Sequence, residues 1–231
     1  MYNLSFNNNL LWKDKYNQLF NLTKLFKNKI LIKFITVVFC VIILSKIKAN
    51  NSPRFIANQG QFHKGVKFKL EHRAGNIYFE DNNVKFDLFE KDKINSLKHG
   101  NISVGNILGH VYESNFIGFN KDLKIIGNRK TNDVCNYFIG KDSSKWKSNI
   151  PVYNELVYEN LYTGIDLSYF ESGGKLKYDF IVHPKADPKN IKVQYKGLDS
   201  IYLKSGHLIL KTTVGNVIEQ APLSYQIING I

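Results

Sequence analysis

Cysteine is scarce in this sequence, which has two among its 231 residues, Cys40 and Cys135. Cys40 lies in an apolar leader, so only Cys135 remains once the leader is removed. An intramolecular disulfide in the remaining chain is therefore excluded, and the hydrophobic core must hold the fold without one. A nucleophilic thiol needs a base and an electropositive setting. Because Cys135 lies in an apolar, strand-like run before Asn136, we predict that it is a packed, inert thiol.

The sequence also lacks a hydrophobic run long enough to span a membrane. The apolar stretch Phe34–Leu44 has eleven residues between Lys33 and Lys46, whereas a spanning helix needs about 20. A basic region, a short apolar core and a small residue, Ala49, are typical of an export signal peptide. We predict a leader over residues 1–49, cleavage after Ala49, and export to the periplasm, the cell surface or the extracellular space. The alternative is an uncleaved signal anchor, the one case in which the chain would contact a membrane through its leader.

Acidic residues are outnumbered, with 19 against 32 lysines and arginines and a formal net charge of +13. The excess is uneven, because residues 1–49 hold eight lysines and a single acid, Asp14, which leaves 24 basic and 18 acidic residues in the remainder. The remaining lysines are spread through strands and turns, without a basic helix or an arginine cluster. This pattern indicates a solvated surface, and we expect no nucleic-acid partner.

Convincing helical periodicity is absent after Ala49. Apolar and polar residues instead alternate in short runs, spaced by roughly ten residues, that end at Gly, Pro, Asn or Asp, as antiparallel strands and turns do. We predict an all-β domain, antiparallel and β-sandwich-like, over residues 50–231, preceded by the signal-peptide helix. The pattern allows two subdomains, about 50–130 and 131–231.

Three local predictions accompany this fold class. Asp81, Asn82 and Asn83 predict a hairpin turn between two alternating runs. A strand that begins at Leu123 is expected to end at the turn signal Gly127-Asn128. The charged stretch Glu90–Gly100 is expected to be a loop.

The patterns that carry common chemistry are also missing. No serine lies in a nucleophile elbow, no glycine-rich phosphate loop follows a strand, and Asp142-Ser143-Ser144 lacks the further acids of a calcium loop. The histidines have no pair at the close spacing of zinc motifs. They are His63, His72, His99, His110, His183 and His207. We therefore predict no catalytic residue, no metal ion and no cofactor.

Asp166 and Asp179 are the residues on which an enzymatic interpretation would depend. They lie on adjacent predicted strands and could face each other, as the paired carboxylates of glycoside hydrolases do. Asp166 follows Gly164 and Ile165, however, and both aspartates suit hydrogen bonds to turn backbone. Structural use is therefore favoured over hydrolysis.

Aromatic residues are plentiful, mainly tyrosine and phenylalanine. Trp146, Tyr153 and Tyr158 are the candidate ligand-binding residues, because exposed rings form a platform on which sugars stack. Core packing of a β protein explains the same residues, and Tyr162 and Tyr169 beside them. Asn101-Ile102-Ser103 is a formal glycosylation sequon, a triplet that is frequent in an Asn-rich chain.

An ordered series of short motifs runs from Phe55 to the C-terminus. The motifs are Asn58-Gln59-Gly60-Gln61, Asn136-Tyr137-Phe138-Ile139-Gly140, Trp146, Pro151-Val152-Tyr153, Tyr162-Thr163-Gly164-Ile165-Asp166, Lys177-Tyr178-Asp179-Phe180, Asp187-Pro188, Gly206, Pro222 and Tyr225-Gln226. Together they resemble the N-terminal domain of unknown function of bacterial SBBP-repeat (seven-bladed β-propeller) surface proteins. No single motif is specific, but their order is.

The resemblance implies a secreted or cell-surface protein in which propeller repeats, immunoglobulin-like modules or a sorting signal follow this domain. It supplies no catalytic residues. We therefore expect a non-enzymatic, exported β-rich module with a structural or adhesion-like role, a truncated front part of a longer protein, with other surface proteins or polysaccharide as partners. A carbohydrate-binding module is the alternative, and a glycoside hydrolase ranks third.

Overall fold

A computed structural model of the protein describes residues 54–72, 74–98, 105–172 and 175–225, all within the unit Asn51–Ile231. The predicted leader with its cleavage point after Ala49, the sequon at Asn101 and the chain from Gln226 onward lie outside these residues. Within the described ranges, no helix has the length and apolar character needed to cross a lipid bilayer.

The described residues form thirteen β-strands, one α-helix and two short 3-10 helices. The strands are β1 (Phe55–Ala57), β2 (Phe68–His72), β3 (Gly75–Phe79), β4 (Asn83–Phe89), β5 (Gly109–Phe116), β6 (Lys124–Tyr137), β7 (Lys147–Tyr162), β8 (Ile165–Ser172), β9 (Lys175–Val182), β10 (Val193–Lys196), β11 (Ser200–Lys204), β12 (His207–Thr212) and β13 (Gly215–Glu219). The α-helix is α1 (Lys91–Lys98), and the 3-10 helices span Ser143–Lys145 and Pro188–Asn190.

Every strand pairing is antiparallel, so the all-β, antiparallel prediction is confirmed. Ten strands form a large sheet in the order β10-β5-β4-β3-β2-β1-β7-β8-β9, with β6 also on β7. The other three form a small sheet in the order β11-β12-β13. The hairpin predicted at Asp81–Asn83 is confirmed, since Phe79 of β3 pairs with Val84 of β4.

The large sheet curls so that its apolar face meets itself. In β2, Phe68 and Leu70 are buried while Glu71 is exposed, which is the alternation that one buried face requires. Phe79 of β3 packs edge-on against Tyr169 of β8, with ring centroids 5.2 Å apart. β3 and β8 are not neighbours in the sheet. The core is therefore made of facing parts of one sheet, without a helical layer.

The point at which two subdomains were expected to meet lies within β6. The predicted strand end at Gly127-Asn128 is wrong, because β6 continues to Tyr137. Arg129 has a φ of 52°, and the register shifts between Lys130 and Val134. The turn-forming residues thus produce a bulge in a long strand. Strands from both sides of this point pair within the large sheet, as β1 does with β7.

The loop predicted over Glu90–Gly100 contains a helix, so this prediction is wrong for residues 91–98. The Ile94 amide donates to the Glu90 carbonyl at 3.1 Å, and Asp92 lies in the first turn of α1, where the helix dipole favours negative charge. A polar helix of eight residues is too short to stand out by apolar periodicity.

Gly127 allows β6 to approach β7 closely. A Cβ atom at this position would lie 2.5 Å from Cγ of Tyr153, whose ring covers the glycine. Tyr153 also packs edge-on against Phe68, with centroids 5.9 Å apart. The ring is therefore held between the glycine and the core side of the sheet.

We expect Gly127→Ala to lower the free energy of unfolding by about 1–3 kcal/mol, because the added methyl group has to displace the Tyr153 ring. Urea unfolding followed by circular dichroism measures the change. Gly105→Ala is the matched control, since a Cβ atom there would meet nothing within 4 Å. Equal stability of the two variants would show that the ring moves freely.

Candidate interaction site

The three candidate aromatic residues do not share one surface. Tyr158 is completely buried, and its hydroxyl donates to the Glu80 carbonyl at 3.0 Å, so its burial removes it from the candidate ligand-binding set. Tyr153 is half-buried against Phe68. Only Trp146 is well exposed, at 42%. Leu156 and Tyr158 are two residues apart in β7 and therefore face the same side of the sheet, which is the sequence signal that could have placed Tyr158 in the core.

Trp146 ends the connection between β6 and β7, here called the hairpin tip (residues 138–146). Its indole Nε1–H donates to the Gly140 carbonyl at 3.2 Å, and its ring meets Phe138 edge-on with centroids 5.5 Å apart. Asp142 accepts from the Ser144 amide at 3.1 Å and so caps the 3-10 helix within the tip. The tip therefore has a defined conformation, in which Phe138, Trp146 and Ile139 are exposed.

Asp166 orders the turn after β7. One carboxylate oxygen accepts from the Asn160 amide at 2.6 Å, and the other lies 2.7 Å from Nε2 of His183. Asp179 pairs with Ser168 rather than with Asp166 in the β8–β9 register. The structural use predicted for Asp166 is confirmed, and the two aspartates are diagonal rather than directly opposite.

Asn58 plays the same kind of role in the loop after β1. Its amide nitrogen donates to the carbonyls of His63 at 3.0 Å and Val66 at 2.7 Å. Its oxygen accepts from the amides of Gly60 at 2.9 Å and Phe62 at 3.2 Å. The Asn58-Gln59-Gly60-Gln61 motif is thus held by its own side chains. A groove of about 580 Å³ beside it is lined in part by Lys64 and Phe68.

Cys135 is half-buried and packs on a small cluster formed by Ile56, Ile150 and Val152. Burial raises the pKa of its thiol, which lowers the fraction of reactive thiolate. The predicted packing of this thiol is confirmed, and its inertness stays a prediction that the raised pKa supports.

Glu219 connects the small sheet to both ends of the large sheet. Its carboxylate accepts hydrogen bonds of 2.9 Å from the hydroxyls of Tyr178 and Tyr195, which lie on β9 and β10. Burial, and next the charge of Glu219, raise the pKa of both tyrosines. We call this contact the Glu219 clamp. Nothing in the local sequence indicates it, because its members are separated by 24 and 41 residues.

The small sheet has apolar side chains on both faces. Leu210 is fully buried, in a cluster with Leu88 and Tyr112. On the opposite face, Tyr202, Ile209 and Ile218 form one row across the three strands, in which Ile209 is buried and the other two are exposed. All five residues of β11 are exposed. The exposed apolar residues here are called the β11 strip, and they are Ile201, Tyr202, Leu203 and Ile218.

Comparison with known proteins identifies a domain family. The family model described as Domain of unknown function (DUF7948) matches residues 55–231, from the first residue of β1 onward. No curated protein and no solved structure matches the chain.

We expect Glu219→Ala to lower the free energy of unfolding by about 1–3 kcal/mol, because two phenol donors lose a charged acceptor. Hydrogen exchange should increase most in β12 and β13, which the clamp attaches to the large sheet. Glu159→Ala, at an exposed position of β7, is the control. Unchanged exchange in β12 and β13 would show that the clamp does not hold the small sheet.

The contribution of these two tyrosines to the free energy of unfolding should be constant below the ordinary tyrosine pKa of 10.0 and decrease as pH rises above it. The reason is that the unfolded chain ionises first, while the folded chain keeps these phenols protonated. Urea midpoints at about pH 9 and about pH 11 test this expectation. The decrease should be smaller in Tyr195→Phe, and an equal decrease in that variant would assign the effect to other groups.

Proposed function

The chain belongs to the DUF7948 family over residues 55–231. From its leader, its motifs and its exposed surfaces we propose a non-enzymatic, exported β-rich module of a bacterial cell-surface or secreted protein. Its role is structural or adhesion-like and consists of holding a neighbouring protein module. The ordered motifs that resemble the SBBP-repeat surface proteins support this placement, because in such proteins further modules follow the domain.

The leader supports the export part of the proposal. Its basic region, its apolar core Phe34–Leu44 and the small residue Ala49 are the three parts of a signal peptide. Without a second cysteine no disulfide can form within residues 50–231, and the thiol of Cys135 is packed. Both facts are compatible with export to an oxidising space. Processing after Ala49 would release a chain that begins at Asn50.

The β11 strip is the observation that carries the interaction part. β11 is an edge strand of the small sheet, and Leu203 in it is 74% exposed. A flat, apolar edge strand is a template for another strand, and proteins ordinarily cover or charge such edges. Strand addition supplies main-chain hydrogen bonds, while alternate side chains such as Tyr202 supply the selective contacts. An extended segment of a neighbouring module is the occupant that fits this edge.

Carboxylate and amide side chains that could take part in catalysis are instead held in structural hydrogen bonds, and this supports a non-enzymatic role. The Asp166 carboxylate is bonded to Asn160 and His183, and the Glu219 carboxylate accepts from two phenols. Asn58 is bonded on both sides of its amide. Each of these groups stabilises a turn or joins two sheets.

The test replaces Leu203 by photoreactive benzoylphenylalanine in the full chain, in its native cells. We expect mass spectrometry to show that the chain outside the cytoplasm begins at Asn50. The group at position 203 should cross-link this chain to an exported protein, which is then identified. The same group at Glu159, on β7, should give no cross-link. Ile218→Asp and Tyr202→Asp should abolish the cross-link at 203 by making the strip polar.

Three outcomes contradict the proposal. An unprocessed chain confined to the cytoplasm would overturn export. An exported chain without a cross-link specific to position 203 would overturn the role of the β11 strip. Polysaccharide hydrolysis that is lost in a folded Asp166→Asn variant would establish an enzyme.

A further inference from the structure

We propose that the hairpin tip binds the surface of an anionic lipid membrane, with Phe138, Ile139 and Trp146 entering the interface. This surface is separate in the chain from the β11 strip, and the binding does not require the leader. The inference goes beyond the module's proposed contacts with other proteins.

The apolar side chains of the tip are exposed in a fixed arrangement. Phe138 is 60% exposed and Ile139 is 72% exposed. The Trp146 indole is held by Gly140 and by the Phe138 ring, and Asp142 caps the short helix between them. Because these contacts already order the loop, insertion into the interface would not carry the entropic cost of ordering it. Tryptophan, with an apolar body and a polar N–H, is enriched at membrane interfaces.

The charges around the tip match a negative surface. Lys141 and Lys145 are exposed, Lys147 follows Trp146, and Asp142 is the one acid among residues 138–147. Lys145 lies 3.7 Å from Asp142, an exposed pair that contributes little. Exposed apolar residues with lysines beside them in the same loop are the combination that attracts a protein segment to anionic lipids and retains it there.

The tip lies at the end of the β6–β7 pair. β7 pairs with β1 and β8 only from Val152 onward, and nearer the tip it pairs with β6. Phe62, from the loop after β1, packs on Tyr137 at this end with ring centroids 5.2 Å apart. The exposed apolar side chains of the tip lie beyond Tyr137 in the chain and are left open to solvent.

A lipid surface fits the tip better than a protein or a sugar does. Three side chains are a small area beside the roughly 800 Å² per partner of a standard protein interface. The most exposed of them, Ile139, has no ring for a sugar to stack on. The Trp146 N–H is already donated to Gly140, so the residue offers its apolar body rather than a hydrogen bond.

Trp146 fluorescence tests the proposal in the full chain with Trp12→Phe, which leaves Trp146 as the single tryptophan. We expect equimolar phosphatidylserine–phosphatidylcholine vesicles to shift its emission to shorter wavelength, and brominated acyl chains to quench it. Ile139→Asp should raise the lipid concentration for half-maximal quenching by about tenfold or more. Lys141→Glu should weaken quenching in the same direction, and pure phosphatidylcholine vesicles should quench less.

Leu223→Asp is the matched control, because Leu223 is also highly exposed but lies after β13, outside the hairpin tip and the β11 strip. It should quench like the parent chain. Vesicle binding without quenching of Trp146, or equal quenching in Ile139→Asp, would assign binding to the leader and overturn the proposal. A Trp146 response to soluble polysaccharide but not to vesicles would overturn it in favour of a sugar site.

Discussion

The large sheet has one apolar face and little helix to shield that face from water, so the sheet must curl and bury the face against itself. The rest of this domain depends on that constraint. Alternation along β2 and β7 makes the apolar face, and curling brings Phe79 of β3 onto Tyr169 of β8. The curl also brings the two ends of the strand order, β9 and β10, close enough for one carboxylate to accept from both. Glu219 lies on β13, so the clamp that joins the ends also attaches the small sheet.

Several motifs of the ordered series lie in turns and caps of the domain. Asn58 shapes the loop after β1 with both ends of its amide. Asp166 fixes the β7–β8 turn, where Gly164 has a φ of 70°, a conformation that glycine adopts without strain. Asp187 caps the helix at Pro188–Asn190 by accepting from the Lys189 amide. Such positions are recognisable in sequence because turn geometry restricts the residue type, whether or not they bind anything.

The β11 strip and the hairpin tip are both exposed and apolar, and their chemistry differs. The β11 strip lies mostly on a five-residue edge strand of the small sheet, which suits an extended polypeptide. The hairpin tip is a small loop with exposed Lys141 and Lys145 beside its apolar residues, which suits a lipid interface. Exposed single apolar residues are ordinary, whereas grouped ones at an edge or a tip indicate contact with a partner. Both proposed contacts therefore lie at the margins of the domain, while polar side chains such as Asn58 and Asp166 hold its turns.

The sequence by itself determined the class of the elements and much of their turn chemistry: the β3–β4 hairpin, the packed thiol of Cys135 and the structural Asp166 follow from local patterns. Residue type alone did not separate Tyr158 in the core from Trp146 at the tip, because aromatic rings suit either place, although the alternation that Tyr158 shares with Leu156 favours the core. The bulge at Arg129, where residues typical of a turn lie within a strand, depends on pairing with β7. The Glu219 clamp joins residues far apart in the chain, so only the tertiary structure decided it.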